Sequence, residues 1–194
     1  MTFATAKRFS IAEYHRLAEL GFFESDARFE LIRGEIIKMA AKGRLHSACN
    51  TLLVEELIIL LARRARVRVQ EPILLSDDSE PEPDVVIARR SDNHVSSHPL
   101  AADILLVIEV SDSTLKYDRI TKLSLYAESG ISDYWIFNLV DIQLEMYSEP
   151  YQKQRGGFDY RVKRVVLPNE VVVIPGFPDL SLDLSAVFPA QMGE

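Results

Sequence analysis

The sequence predicts a single α/β (α+β) domain over residues 1–194, in which a mixed sheet is flanked by helices. The first observation is an apolar stripe at helical spacing from Arg44 to about Arg66, which is typical of a buried core helix. The second is the continuous apolar run from Ile104 to Val110, which is typical of a buried central strand. The third is a strand–helix–strand order from that run to Leu139, which predicts a parallel, right-handed crossover.

Composition limits the classes of function. The 194 residues are 47% hydrophobic, which is enough to bury one core in a chain of ordinary domain size. The net charge of −7 excludes a protein that coats DNA through a uniformly basic surface, because phosphate neutralisation needs clustered Lys and Arg. Local clusters of basic residues can still contact phosphate. For the arginines, solvated charges at a helix C-terminus are the equally good alternative. The cluster residues are Lys42 and Arg44 before the core helix and Arg63, Arg64, Arg66 and Arg68 at its end.

Features of export or membrane insertion are missing from the sequence. No apolar run reaches the roughly 18 to 20 residues that span a bilayer. The N-terminus lacks a basic segment followed by an apolar stretch and a small-residue cleavage site. We therefore expect a cytoplasmic protein with no membrane partner. Cys49 is the single cysteine, which excludes an internal disulfide, and its place on the apolar helix face predicts a core role.

The first half of the chain predicts a helix, a hairpin and the core helix. Ser10 has the character of an N-cap, and Gly21 ends the helical pattern that follows it. The segment FELIRGEIIKM, residues 29–39, predicts a β-hairpin that turns at Arg33-Gly34, where glycine supplies a positive φ. The stripe of the core helix consists of Leu45, Cys49, Leu52, Leu53, Leu57, Leu60 and Leu61.

The second half predicts the sheet. Strands are expected at residues 66–75, 85–88 and 104–110, and at 133–139 after a helix of about three turns. Ile120, Leu123 and Ala127 mark that helix, and Gly130 ends it. Strand-like runs near residues 143–147, 160–167 and 171–174 predict antiparallel additions that end in a proline-punctuated tail. This divides the domain into a core of about residues 9–147 and a C-terminal β extension of about residues 148–194.

Two carboxylates are expected to meet at one edge of the sheet. The acidic turn SDDSEPEPD delivers Asp84 to the start of the strand 85–88. If this strand pairs antiparallel with 104–110, Asp84 lies beside Glu109. Glu109 interrupts the run ILLVIEV and, once buried, needs a cation, a metal or a proton, although a structural ion pair satisfies the same need. Asp77, Asp78 and Glu80 are interpreted as a solvated acidic turn.

A lysine completes the constellation. The loop after Glu109 leads directly into the helix that carries Lys122, so the crossover places Lys122 near the carboxylates. A surface ion pair between Asp118 and Lys122, four residues apart, is the alternative. Two carboxylates and a lysine suit phosphodiester hydrolysis, with hard oxygen ligands for Mg²⁺ or Mn²⁺ and a cation beside the phosphate. We expect a carbonyl near Val110 to join Asp84 and Glu109 as a metal ligand.

At these motifs the sequence resembles the Uma-two endonuclease family of the PD-(D/E)XK superfamily, over roughly residues 9–147. The resemblance rests on an ordered set of segments: FELIRGEIIKM, His46 at the start of the core helix, EPEPD, LLVIEVSDST, the pair Asp118 and Lys122, and GISDYWIFNL. It implies a restriction-endonuclease-like αβββαβ core, a divalent metal held by Asp84 and Glu109, and DNA as the substrate.

One position departs from the superfamily pattern. The catalytic lysine usually stands two residues after the second carboxylate, where this chain has Ser111. The resemblance therefore implies that Lys122 replaces it from the following helix. Glu30 is expected as an additional site carboxylate, with a solvent-facing or arginine-paired strand residue as the alternative.

Other residues are assigned supporting roles. His46 either approaches a phosphate or assists proton transfer, or simply occupies the helix start. Gln70 orients water or phosphate, and Asp118 orients Lys122. Tyr126 is interpreted as packing and Trp135 as core.

Two rival functions stay open. One is a catalytically silent module on the same fold that binds nucleic acid or protein, which the serine at position 111 and the acidic charge favour. The other is a hydrolase of a different phosphoester, since fold alone excludes neither. Superfamily members often pair to cut both strands, so a homodimer is expected.

Overall fold

A six-stranded mixed sheet forms the centre of the molecule in the computed structural model, which describes residues 4–24, 27–91 and 98–189. The helices are α1 (Ile11–Glu19), α2 (Arg44–Leu61), α3 (Leu115–Tyr117) and α4 (Leu123–Glu128), with a π-helical segment, Asp118–Lys122, between the last two. The strands before the crossover are β1 (Phe29–Ile32), β2 (Glu35–Lys38), β3 (Arg66–Val69), β4 (Val85–Ala88) and β5 (Ile104–Ser111). The strands after it are β6 (Asp133–Asn138), β7 (Gln143–Gln152), β8 (Phe158–Val166), β9 (Val171–Ile174) and β10 (Phe177–Asp183). No helix in these ranges is long and apolar enough to cross a membrane.

Strand order in the central sheet is β3-β4-β5-β6-β7-β8. Strands β4 and β5 pair antiparallel with Val85 opposite Ile108, and β5 pairs parallel with β6. Both pairings follow the prediction. The antiparallel register brings the residue before β4 beside the end of β5, and the crossover returns the chain over the same edge.

The two faces of the sheet bury separate cores. On one face, α2 and the hairpin of β9 and β10 pack on alternate residues of β5, with Cys49, Leu53, Val172 and Leu182 among the buried side chains. On the other face, α4 packs through Leu123, Tyr126 and Ala127 against residues that include Val107, Tyr134 and Ile136. Since Glu109 lies two residues after Val107, it points to the α4 face.

The N-terminal helix and hairpin have the predicted end signals. Ser10 and Glu13 form a capping box at the start of α1. Arg33 and Gly34 both have positive φ, 49° and 74°, as the tight turn between β1 and β2 requires. A Cβ at position 34 would lie 2.7 Å from the Cβ of Arg8, so the turn also needs glycine for space.

Several predicted boundaries are wrong. Helix α2 ends at Leu61 because Ala62 is left-handed, so the arginine cluster follows the helix, and Leu45 of the predicted stripe is 52% exposed. Strand β3 ends at Val69, since Gln70 has a φ of 54° and turns the chain before residue 75. The predicted tail contains β10, where Pro178 is tolerated at a shift in register, and β9 and β10 form a separate sheet rather than extending the central one.

The predicted helix after Glu109 is interrupted by the π-helical segment. Each π turn contains about one residue more than an α turn, which moves the following side chains around the helix axis. Ile120, predicted as a core position, is 59% exposed, whereas Asp118 and Lys122 are 5% and 3% exposed. The segment therefore takes Ile120 off the buried face, while Asp118 and Lys122, one turn apart, both lie on it.

Candidate active site

A cleft with a volume of about 240 Å³ opens beside the ends of β4 and β5. The loop between β2 and α2 forms one wall, and the loop from β5 to α3 forms another. The polar residues that line it include Glu30, Lys42, His46, Glu82, Asp84, Glu109, Asp112, Asp118 and Lys122. Most of the predicted site residues thus lie around one cavity.

Asp84 and Glu109 are brought together by strand pairing, as predicted. The backbone N–H of Asp84 donates to Glu109 Oε2 at 3.2 Å. The backbone N–H of Val110 donates to Asp84 Oδ2 at 3.0 Å. These two bonds join the start of β4 to the end of β5 and fix both carboxylates.

Asp84 has two further polar neighbours, a histidine and a lysine. The Nε2 atom of His46, in the first turn of α2, lies 2.9 Å from Asp84 Oδ2. The Nζ atom of Lys42 lies 3.2 Å from Asp84 Oδ1. Burial by itself would raise the pKa of Asp84, but His46, Lys42 and the Val110 N–H outweigh it and hold the pKa below its ordinary value. Asp84 is therefore an ionised buried carboxylate.

Lys122 bridges the two glutamates. Its Nζ atom donates to Glu30 Oε2 at 2.7 Å and to Glu109 Oε1 at 3.3 Å. Because the lysine side chain is only 4% exposed, a surface ion pair with Asp118 is the wrong description. Glu30 also accepts from the Glu82 backbone N–H at 3.2 Å, so it is neither solvent-facing nor arginine-paired.

The charges of this bridge follow from its geometry. Burial alone would lower the pKa of Lys122, but Glu109 and Glu30 outweigh that effect and raise it above its ordinary value. Glu30 makes the shorter contact, 2.7 Å against 3.3 Å for Glu109. Burial raises the pKa of Glu109 to about 8, with Lys122 opposing the rise and Asp118 and Asp84 adding to it.

Tyr126 is a site residue that sequence reasoning missed. Its fully buried hydroxyl donates to Glu109 Oε1 at 2.7 Å, and its ring packs on Tyr134 with centroids 5.0 Å apart. The packing interpretation therefore describes only the ring. The spacing of four residues after Lys122 was a signal that both residues share one helix face.

Ser111 and Asp118 form a hydrogen bond with each other. Ser111, at the usual position of the catalytic lysine, is fully buried and donates to Asp118 Oδ2 at 2.7 Å. Lys122 pairs with Glu30 and Glu109, so Asp118 and Lys122 have different polar partners. Asp118 is thus placed to order the loop after β5.

Gln70 and the arginine cluster lie apart from this centre. The backbone N–H of Gln70 donates to the Asp84 carbonyl at 3.0 Å, but Gln70 is not among the described residues that line the cleft. In the cluster, Arg64 bonds to Asp179 at 3.0 Å and Arg66 to the Ser91 carbonyl at 3.3 Å, while Arg68 pairs with Glu71. Three of the arginines therefore have partners within the chain.

The donor chemistry of the cleft fits a hard divalent cation. Among the described residues, no group of three or more His, Cys, Asp and Glu side chains is arranged to hold a metal alone. Mg²⁺, however, commonly takes one or two carboxylates and completes its shell with water and substrate phosphate. Among the described residues that line the cleft, four carboxylates are buried, Glu30, Asp84, Glu109 and Asp118, and they outnumber the two lysines that face the cleft, Lys42 and Lys122. This excess of buried negative charge favours a cation there.

Comparisons with known proteins identify the family and the fold of the chain. A family model described as "Putative restriction endonuclease" matches residues 11–185. The crystal structure of a "putative nuclease belonging to DUF820" from Anabaena variabilis ATCC 29413 has the same fold, with a TM-score of 0.67 and 19% identity over 93% of this chain and 97% of that one. The type IIG restriction endonuclease BpuSI overlaps 54% of this chain and 11% of its own, with 18% identity and a TM-score of 0.36. No curated protein matches the chain.

Proposed function

Because this chain belongs to the Uma2 family of restriction-endonuclease-like proteins, we propose that it is a Mg²⁺- or Mn²⁺-dependent endonuclease that hydrolyses phosphodiester bonds of DNA. The observation that supports this most is the bridge of Lys122 between Glu30 and Glu109, directly beside Asp84. A lysine and three carboxylates in one cleft match the needs of phosphodiester hydrolysis without any other cofactor.

Asp84, Glu109 and the Val110 carbonyl are the groups that would hold the metal. Asp84 is kept ionised by its neighbours, and the carboxylate of Glu109 becomes a favourable anion when a divalent charge compensates its burial. A bound Mg²⁺ or Mn²⁺ would supply a more acidic water and a polarised phosphate.

Lys122 acts in this scheme as a permanent cation. Since its carboxylate partners raise its pKa, it keeps its proton near neutral pH and cannot serve as the general base. Two of its three N–H donors bond to the two glutamates, which fixes the ammonium at the cleft wall. Its role is to stabilise the negative charge that develops on the phosphate and to position water, with Glu30 holding it in place.

His46 and Tyr126 position the two metal-binding carboxylates. His46 fixes Asp84 Oδ2, and Tyr126 fixes Glu109 Oε1. Hydrogen bonds of this kind set the direction in which a carboxylate presents its free oxygen. Ser111 stands at the sequence position of the superfamily lysine and is bonded to Asp118, which leaves that function to Lys122.

The experiment is cleavage of supercoiled plasmid and single-stranded DNA with Mg²⁺ or Mn²⁺. Asp84→Asn and Lys122→Met should each lower the rate by about 10²- to 10³-fold, the usual effect of losing an electrostatic catalytic group. Asp77→Asn is the matched control, because Asp77 is an exposed carboxylate in the same acidic turn. Circular dichroism and the melting temperature establish that each variant is folded.

The outcomes separate the rival functions. Undiminished cleavage by Asp84→Asn would contradict the site assignment. Folded wild-type protein that binds DNA but cuts nothing with either metal would favour the silent binding module, which the Ser111–Asp118 pair supports structurally. Cleavage confined to nucleotides or other phosphodiesters would favour a different phosphoester hydrolase.

A further inference from the structure

Lys42 is turned into the cleft from an otherwise exposed loop. Ala41, Gly43 and Arg44 around it are exposed, but the Lys42 side chain is only 20% exposed. Lysines in loops ordinarily extend their ammonium group into water. The inward position places a second positive charge in the cleft. It comes from the loop between β2 and α2, whereas the charge of Lys122 comes from the π-helical segment.

The contact of Lys42 with Asp84 is an incomplete one. Its Nζ atom lies 3.2 Å from Asp84 Oδ1, yet it is buried and makes no directed hydrogen bond to any described residue. An ammonium group has three N–H donors, so donors beyond the one nearest Asp84 remain for an incoming acceptor. The position is that of a charge held near its counter-ion but not locked to it.

The two oxygens of Asp84 are used differently. Oδ2 is taken by His46 Nε2 at 2.9 Å and by the Val110 N–H at 3.0 Å. Oδ1 faces only Lys42 among its described polar contacts. A cation that binds Asp84 therefore has Oδ1 as its accessible oxygen, and it competes there with the Lys42 ammonium.

We propose that Lys42 is a phosphate-binding residue, which neutralises Asp84 Oδ1 in the metal-free protein and moves to a backbone phosphate of the nucleic acid when a divalent metal takes that oxygen. The inference rests on the proposed function, and it adds a second lysine to the site. Its role differs from that of Lys122, whose ammonium is bonded to two glutamates and whose side chain is 4% exposed. The motion required is small, because the Lys42 stem already lines the cleft.

The first test measures Mn²⁺ binding without nucleic acid, from the electron paramagnetic resonance signal of free Mn²⁺. Lys42→Met removes the competitor for Oδ1 and should tighten Mn²⁺ binding about fivefold, the equivalent of one partly screened ion pair. Lys38→Met is the matched control, since Lys38 also lines the cleft but directs its ammonium to Glu24 at 2.6 Å. Unchanged or weaker Mn²⁺ binding by Lys42→Met would overturn the competition.

The second test measures DNA binding with Ca²⁺ in place of the catalytic metal, as a function of salt. Loss of one phosphate contact should reduce the slope of log affinity against log salt concentration by about 1. Lys42→Arg should restore the slope. A slope equal to that of wild type in Lys42→Met would refute the phosphate contact.

The two proposals fail in different ways. A wild-type protein without any metal-dependent cleavage would contradict the proposed function, but the Mn²⁺ titration would still report whether Lys42 competes for Asp84. Conversely, cleavage abolished by Lys122→Met but unaffected by Lys42→Met at every salt concentration would leave the nuclease standing and exclude the role of Lys42.

Discussion

At the scale of single residues, the surroundings of Glu109 decide what the site can do. Three groups reach its carboxylate: the Asp84 N–H, the Lys122 ammonium and the Tyr126 hydroxyl. Two of these were expected from the sequence, because strand pairing and the crossover follow from apolar periodicity. The hydroxyl was not, since periodicity places a ring on a helix face but does not report what lies beyond its tip.

Removal of that hydroxyl tests whether Tyr126 positions Glu109. Tyr126→Phe keeps the ring against Tyr134 and should lower cleavage by about 10- to 100-fold, as losses of supporting hydrogen bonds around metal ligands do. Tyr160→Phe is the control, because it also deletes a buried hydroxyl, the one that donates to the Ile131 carbonyl at 2.8 Å, away from the cleft. Equal cleavage rates in the two variants, measured at matched folding, would argue that Tyr126 is only a packing residue.

At the scale of elements, a buried carboxylate outside the cleft, Glu145, joins the π-helical segment to the sheet. Glu145 on β7 is fully buried and accepts from Tyr147 at 2.6 Å, Lys163 at 2.9 Å and Arg119 Nε at 3.1 Å. Burial would raise its pKa, but Arg119, Tyr147 and Lys163 outweigh burial and hold the pKa below its ordinary value. Glu145 therefore ties Arg119, in the π-helical segment that also contains Lys122, to the neighbouring strands β7 and β8.

This network predicts a dependence of stability on acid. A carboxyl group with a depressed folded pKa stabilises the protein fully above its unfolded pKa, near 4.5, and loses that contribution as the pH falls toward the folded value. Glu145→Gln should cost about 3 kcal/mol in the free energy of unfolding at pH 7, and less at pH 3. Urea titrations at both pH values check this. A difference between wild type and variant that stays constant with pH would contradict the ionised network.

The elements also show where sequence patterns reach their limit. Asp84, Glu109 and Lys122 converge because alternation and helical spacing define β4, β5 and the crossover. The π-helical segment lies outside that logic, since a search at 3.6 residues per turn assigns Ile120 to the core. Strand β10 was missed because Pro178 reads as a strand breaker unless the register shift beside it is known.

At the scale of the whole molecule, the C-terminal hairpin is part of the main core. Val172, Ile174, Leu182 and Leu184 are buried with Cys49 and the other inward residues of α2. The matched family extends to residue 185, beyond the core of about residues 9–147 expected from the sequence. The division into a core and a C-terminal extension thus describes the sequence pattern and not the packing. We propose that both parts fold as one domain.

Truncation tests the single domain. A chain ended at Leu167 exposes the apolar surface that the hairpin covers and should lose its cooperative thermal transition, whereas a chain ended at Pro189 should keep it. Differential scanning calorimetry gives the answer. A chain ended at Leu167 that melts like the full chain would show that the hairpin is an independent addition.

The expected homodimer stays a prediction. The charges on one edge of the central sheet make that edge an unfavourable dimer interface. The outer strand β8 carries exposed Arg161, Lys163 and Arg164, and like charges oppose pairing with a second copy of the same strand. We expect the two copies to pair through a surface other than β8. Sedimentation should give twice the chain mass of 22.0 kDa for the free protein, and that mass plus the mass of the DNA for the complex. A monomer under both conditions would contradict the dimer.

Because of the π-helical segment, the number of residues between Glu109 and Lys122 affects how the proposed site is arranged. Five residues there span the arc that an α-helix would cover with about four, so Ile120 leaves the buried face while Asp118 and Lys122, one turn apart, both lie on it. A deletion of the exposed Ile120 would place Asp118 and Lys122 three residues apart. It would so change the angle and the distance between the side chain that bonds to Ser111 and the one that bonds to Glu30 and Glu109. An insertion or deletion in this stretch would therefore disturb the proposed site as a substitution does, even if Asp84, Glu109 and Lys122 were all retained.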